Sequence, residues 1–467
     1  MKLKKDWESN IALLKEHLST ETNFDVFTKK MSFGDRSACL VGINGLCDTD
    51  LLLDVLADLE AHSSQSDDIE SLYAQCSATD DLTLIAEAVL SGQTVLLIEQ
   101  KDKACLLDTR SYPARGIQEP DMERVSRGAR DGFTEVLLQN TALIRRRIRS
   151  TDLTFELKKI GTVSATDVVI AYMNTYADET LLQRIREQLE QIKAASLTMG
   201  SVSLEELLIP GSFLHPLPSL RTTERPDVVC SHLVEGHIAI LVDTSPIVLL
   251  LPGTLFQFTQ SPDDYYRSPP VGGFFRLLRF LCIPVNLLLL PVFLLLTAYY
   301  PDFSEKWQLL STDSMAPARI FFYVLAVDFA MDLLKYSAAL TSSKYSGSLS
   351  IVGGLLIGDI AVKLNWASVE VLFYAGISLL AGISLANVEF ADGLRLYRLF
   401  LILTTGFFGP KGFWIGLLLT LISTATTPTI KGYSYLWPLI PFDRRALHNI
   451  LFRNPTPKAQ PPHIRRK

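Results

Sequence analysis

The chain has 467 residues, 48% hydrophobic and 20% charged, with a mean hydropathy of +0.23. Its formal net charge of −6 hides an asymmetry: residues 1–270 hold 26 Lys and Arg against 40 acids, whereas residues 271–467 hold 18 against 10. An acidic first half joined to a basic, apolar second half excludes a nucleic-acid binder built on a basic soluble domain. It also excludes disorder as the dominant state.

Residues 1–35 read as a polar, partly helical lead, with apolar positions at helical spacing over Ile11–Leu18. Met1–Asn10 is charged with no apolar stretch behind it, so no secretory leader is expected and the first half is expected to be cytoplasmic. Ala38–Gly45 predicts a strand and Leu51–Leu59 a helix, started by Asp48-Thr49-Asp50. Leu82–Leu90 predicts a helix, Thr94–Glu99 with Lys103–Asp108 a hairpin, and Phe133–Ile148 a helix ending in an arginine run.

A second series of the same kind follows. Leu153–Ile160 and Asp167–Met173 predict strands, Glu179–Ile192 an amphipathic helix, and Ser203–Leu208 and Pro226–Val234 short helices. Ile238–Asp243 with Pro246–Leu251 predicts a hairpin. Ser91–Glu99 aligns without gaps to Glu235–Asp243, an echo equally open to duplication and to convergence. Two α/β subdomains are expected, 36–150 and 151–262.

From Gly273 the character changes. Phe280–Tyr300 runs 21 residues without a charge, the length of a spanning helix, and Pro284 and Pro291 within it are tolerated in lipid. Ile320–Leu334, Gly-rich Ile351–Leu364, Val371–Val388, and Leu399–Phe408 with Phe413–Thr426 follow, the last two separated by Gly409-Pro410-Lys411. The expected fold is therefore an α/β region of two subdomains followed by an α-helical multi-span membrane domain. That domain covers 263–440 with four to six crossings, and a basic tail covers 441–467. Arg276, Arg279, Arg395, Arg398 and the seven Lys and Arg of the tail place the α/β region and the tail on the cytoplasmic side.

Enzyme signatures are absent: no P-loop, no GxGxxG after a strand, no HExxH and no nucleophile elbow occurs. A non-enzymatic protein is expected, with no catalytic residue, cofactor or metal. The six cysteines form no CxxC pair and read as isolated small core residues in a reducing compartment. His232 and His237 flank Glu235 in an order unlike a zinc motif and read as two surface histidines around a turn.

Three features could carry function. Arg145, Arg146, Arg147 and Arg149 suit either a solvated helix end or contact with anionic lipid or a neighbouring subunit. Asp328 and Asp332 lie four apart on one helix face, where a charge in lipid costs ~2.5 kcal/mol or more. They read as an ion pathway, an intersubunit contact, or acids near a helix end. Gly354 and Gly358 form a GxxxG spacing with Asp359 at the same depth and Val362 one turn on. The segment either packs helices closely or lines a hydrated path, where a ring of carboxylates would favour cations.

Glu224–Asp243, Gln260–Tyr266, the Arg276–Arg279 lead-in and Ile351–Val362 resemble the A-subunit family of spore germination receptors, the GerA type, over nearly the whole chain. Asn44–Thr49, Ser126–Phe133, Asn140–Arg149 and Tyr435–Phe442 look closest to its stage V sporulation AF branch. The resemblance implies a protein of the inner spore membrane with a two-part cytosolic α/β domain and a multi-span domain. It implies an oligomeric channel for monovalent cations that opens in germination, works with other membrane germination proteins and membrane lipids, and promotes dipicolinic acid release. Asp328 and Asp332 depart from the Glu that many relatives carry in the second span. The alternative is a membrane-anchored scaffold of a germination complex that conducts nothing itself. A secondary transporter would show inverted repeats among its spans, and none is visible.

Overall fold

The computed structural model describes residues 2–4, 6–33, 36–62, 76–112, 125, 127–209, 211, 215–306, 316–340, 354, 361–363, 368–430 and 433–452. Two compact units emerge, one built from Met1–Ile209 and Leu220–Gly253, the other from Pro210–Ser219 and Thr254–Lys458.

The first unit contains two five-stranded sheets of the same topology. Strands β1 (Val26–Phe33), β2 (Arg36–Ile43), β3 (Cys76–Thr79), β4 (Thr94–Ile98) and β5 (Ala104–Leu107) are ordered β1-β2-β4-β5-β3. Strands β6 (Leu153–Ile160), β7 (Thr166–Met173), β8 (Arg221–Thr223), β9 (Ile238–Val242) and β10 (Val248–Leu251) repeat that order as β6-β7-β9-β10-β8. All neighbours are antiparallel. The echo of Ser91–Glu99 in Glu235–Asp243 thus marks one place in a structural repeat. In both sheets a helix ends at a left-handed glycine, Gly92 or Gly236, and runs into a central strand. Any larger residue at Gly236 would place its Cβ 2.7 Å from the Tyr176 carbonyl oxygen.

Helices α1 (Trp7–His17), α2 (Thr49–His62) and α3 (Leu82–Leu90) serve the first sheet. One face buries Leu14, Val41, Ile85 and Val95 with α1 and α3, the other Leu40, Leu56, Leu59 and Leu96 with α2. Helix α4 (Leu137–Arg147) gives Ala142 to the first core and Leu143 and Ile144 to the second, which also holds Phe155, Val169 and Val229 of α7 (Pro226–Val234). Helices α5 (Glu179–Gln191) and α6 (Ser201–Leu208) complete the repeat.

Three expectations are corrected here. Residues 26–33, read as polar lead, form β1, because pairing with β2 outweighs the weak apolar alternation of VFTKKMSF. Cys76 and Cys105 are joined in a disulfide, because the β3–β5 register brings their Cα atoms to 6.5 Å. His232 and His237 are buried rather than exposed, because the helix and strand that the turn joins both pack into the second core through Leu233 and Ala239.

In the second unit, α8 (Pro269–Tyr299), α9 (Pro317–Leu340), α10 (Val369–Ile383) and α11 (Val388–Ala425) share one core of Leu290, Phe293, Val324, Val371, Tyr374 and Ile402. The rings of Phe293 and Tyr374 lie 4.8 Å apart. Helix α12 (Arg444–Leu451) ends the described chain. By length and composition α8 and α11 could each cross a membrane; α9 carries Asp328, Asp332 and Lys335. Outward faces are strongly apolar, with Leu281, Phe329, Leu380, Phe408, Trp414 and Leu418 exposed.

Helix α11 is bent back on itself. Gly409 has φ 64° and ψ −146°, and Pro410 supplies no N–H. The carbonyl of Gly406 therefore loses its helical donor, and the Tyr299 hydroxyl lies 3.3 Å from it. The two halves run antiparallel: Tyr397 and Ser423 share a hydroxyl–hydroxyl bond of 2.7 Å across the bend. A Cβ on Gly412 would meet the Thr404 carbonyl oxygen at 2.0 Å, so only glycine permits this approach. The interruption expected at Gly409-Pro410-Lys411 is this bend.

Candidate functional site: a charge ladder between apolar helices

Helix α9 offers Asp328, Asp332 and Lys335, and α11 offers Arg398, Arg395 and Asp392. Taken in opposite chain directions, these make three registered ion pairs. Asp328 Oδ1 lies 2.8 Å from Arg398 Nη2, Asp332 Oδ1 lies 2.8 Å from Arg395 Nε, and Lys335 Nζ lies 2.7 Å from Asp392 Oδ1. Three acids and three bases sum to zero charge, which removes most of the Coulomb cost of placing them between apolar helices.

The ladder is graded. Side-chain exposure is 2% and 4% at Arg398 and Asp328, 25% and 24% at Arg395 and Asp332, and 27% and 50% at Lys335 and Asp392. At the closed end two more helices join. Arg398 Nη1 donates to Asn286 Oδ1 of α8 at 2.5 Å and to Ser378 Oγ of α10 at 2.8 Å, while Ser378 Oγ donates to the Asn286 carbonyl at 3.1 Å. One guanidinium thereby links α8, α9, α10 and α11. Two buried donors, Asn286 Nδ2 and Arg398 Nε, have no hydrogen-bond partner among the described residues.

Asp328 and Asp332 are thus brought together with cations of the same chain. Arg395 and Arg398 were expected beside a span, as loop cations; they stand inside the bundle. Arg276 and Arg279 are also buried, both paired with Asp264, and Arg276 Nη1 donates to the Asn449 carbonyl at 2.9 Å. Cations neutralised in this way carry no orientation signal of the kind free loop charges do. The missed residues, Asn286 and Ser378, are single polar side chains in apolar runs with no charge to draw notice.

Gly358 and Asp359 fall outside the described residues. Gly354 is exposed, and an added Cβ there meets nothing within 4 Å among the described residues. Val362 is half-buried on the short helix Ala361–Lys363.

Arg145 is removed from the surface set. It is fully buried, binds Asp25 through Nε at 2.9 Å and Nη2 at 3.2 Å, and donates to the carbonyls of Ser150 and Leu153. The reason is positional: α4 lies between the two sheets, and the first arginine of the run points inward. Arg147 pairs with Asp131 at 2.7 Å. Arg146 and Arg149 are exposed and lie over the Tyr112 ring.

Among the described residues one group of side chains could hold a metal ion: His232, Glu235 and His237. Burial, reinforced by His237 and Arg221, holds His232 well below the usual histidine range, and burial lowers His237 to about 4, so both rings are neutral at pH 7.

Comparison with known proteins gives a consistent result. Residues 12–463 match the family model described as "Bacillus/Clostridium GerA spore germination protein". Stage V sporulation protein AF of Bacillus subtilis is 34% identical over 97% of this chain and 93% of its own length. Spore germination protein KA of the same organism is 27% identical over 96% of this chain and 84% of its own. The crystal structure of the N-terminal domain of the A subunit of the Bacillus megaterium spore germinant receptor GerK3 matches 54% of this chain and 96% of that domain, at 26% identity and a TM-score of 0.40.

Proposed function

This chain belongs to the GerA family of spore germination proteins, and on that premise we propose that it is a subunit of an oligomeric membrane channel. It passes monovalent cations and promotes dipicolinic acid release during germination. Residues 263–440 form its membrane domain, with four to six crossings in the inner spore membrane, and the α/β region and the basic tail are cytoplasmic. Its partners are further copies of itself, other membrane germination proteins and membrane lipids.

The observation that carries this reading is the graded, charge-balanced ladder joining four apolar helices. Buried ionic groups in such a setting mark ion pathways and switches. Closing the ladder holds α9 against α11, and separating the helices exposes six charges and two already unsatisfied donors to any water between them. The segment from Gly354 through Gly358 and Asp359 to Val362 lines the path, with small residues setting its width and the carboxylate favouring cations.

A second reading has its own support: the ladder closes within one chain, as it would in a scaffold whose acids serve packing alone. Purified protein of confirmed oligomeric state in liposomes separates the two. Potassium or sodium flux from wild type supports the channel; none from a verified oligomer supports the scaffold.

A further inference from the structure

We infer that His232, Glu235 and His237 form a zinc-binding site at the turn between α7 and β9. His232 occupies the last turn of α7, Glu235 caps that helix, and His237 immediately precedes β9. Main-chain bonds from Gly236 to Leu233 and from His237 to His232, each 3.0 Å, close the turn and point all three side chains to one place. One ligand atom of each residue lies within 4.8 Å of the other two. His232 Nδ1 is 3.9 Å from Glu235 Oε2, and the two imidazole rings meet edge-on with centroids 4.5 Å apart.

Two details point to a ligand rather than to packing. His232 Nδ1 is buried, lies toward the Glu235 carboxylate and has no hydrogen-bond partner among the described residues. A nitrogen left in that state inside a protein is rare unless something else completes it. His237 Nδ1 donates to the His232 carbonyl at 3.2 Å, which fixes the tautomer with the lone pair on Nε2. Metal-bound histidines are oriented by this kind of bond.

The donor set selects the metal. Two imidazoles and a carboxylate suit zinc, whose bonds of ~2.1 Å place tetrahedral ligands ~3.4 Å apart, so the 3.9 Å separation closes by about half an ångström and any pair at the 4.8 Å limit by about 1.4 Å, a side-chain rotation. Magnesium and calcium require oxygen ligands. The Arg221 charge acts against a cation at either ring, so only an ion that bonds strongly to nitrogen is held; zinc does so, and copper(II) is the competitor that the metal analysis distinguishes. Three protein ligands leave a fourth position for water or for a group from a partner. The sequence H-x-x-E-x-H escapes the usual zinc patterns because its geometry comes from a helix cap and not from a helix face.

The test uses full-length protein purified in detergent, stripped with a chelator, loaded with zinc sulfate, desalted and analysed for metal by mass spectrometry. Wild type retains about one zinc per chain, and cobalt in its place gives the intense visible absorption of a tetrahedral site. H232Q and E235Q each weaken zinc binding by about 100-fold or more, beyond the roughly 10–100-fold cost of losing only an outer-shell partner. Added zinc raises the melting temperature of wild type and not of E235Q. The double variant C47S/C282S keeps the metal, which excludes the partly exposed thiols as its ligands. Should H232Q fail to fold, E235Q at the half-exposed turn carries the same comparison. Retention of no zinc by wild type overturns the inference, as does undiminished zinc in both E235Q and the double variant H232Q/H237Q.

Discussion

Asp328 on α9 and Arg398 on α11, seventy positions apart, form an ion pair of 2.8 Å with both side chains almost wholly shielded from solvent. Removing one partner leaves the other charge buried and uncompensated, which costs about 3–5 kcal/mol. Arg398→Met is therefore expected to destabilise the protein severely, and Asp328→Asn with Arg398→Gln together less than the sum of the two singles. Thermal unfolding in detergent measures this. Strictly additive effects would mean that the two residues do not act as a pair.

The grading of the ladder makes a second prediction. Lys335 and Asp392 are partly exposed, and such pairs contribute about 0–1 kcal/mol. Lys335→Ala should therefore shift the melting temperature little, Arg395→Ala by an intermediate amount and Arg398→Met most. An equal shift for all three would show that burial does not set their contribution.

The bend in α11 depends on glycine. Gly409→Ala forces a side chain into φ 64° and ψ −146°, a region all but confined to glycine, at a cost of about 1–3 kcal/mol. Gly412→Leu prevents the two halves from meeting. Cysteines placed at 404 and 416, where a Cβ on residue 416 lies 3.4 Å from Thr404 Cβ, should crosslink in an otherwise wild-type chain and lose that crosslink in Gly412→Leu. A crosslink retained at full yield would argue that the halves do not need this contact.

Conduction can be tested on the segment proposed to line the path. Enlarging Gly358 to Leu should abolish liposome flux, and Val362→Ala should make the channel leaky. Normal flux in both variants, at equal protein and oligomer levels, would assign the segment to packing alone.

Acid stability should depend on Glu156. Burial raises its pKa, but hydrogen bonds and charge from Arg186 and a hydrogen bond from Tyr172 outweigh burial and leave it below the usual 4.5. A lowered folded value means that the contribution is complete above the unfolded value, about 4.5, and fades as pH falls from there through the folded value. Glu156→Gln should be less stable than wild type at pH 7, with the gap narrowing as the pH falls below the ordinary 4.5. A gap that widens on acidification would contradict this sign.

Local chemistry was legible from the residues alone. The unbroken apolar runs of Thr94–Ile98 and Ile238–Val242, the helix rhythm of Leu82–Leu90 and the glycines that end α3 and α7 determine their own conformation within a few neighbours. The change from an acidic to an apolar half is a matter of composition, and so is the family resemblance carried by unbroken strings of residues. The charge orders D-x3-D-x2-K and D-x2-R-x2-R were also present, complementary if one helix is reversed, but nothing in the chain states that α9 and α11 are neighbours. Only tertiary packing decided that Asp328 has a partner, that Arg145 turns inward, that Asn286 and Ser378 belong to one node, and that two histidines meet beneath a turn. In each case the deciding energy is the desolvation of a polar group, and its sign depends on atoms brought near from distant parts of the chain.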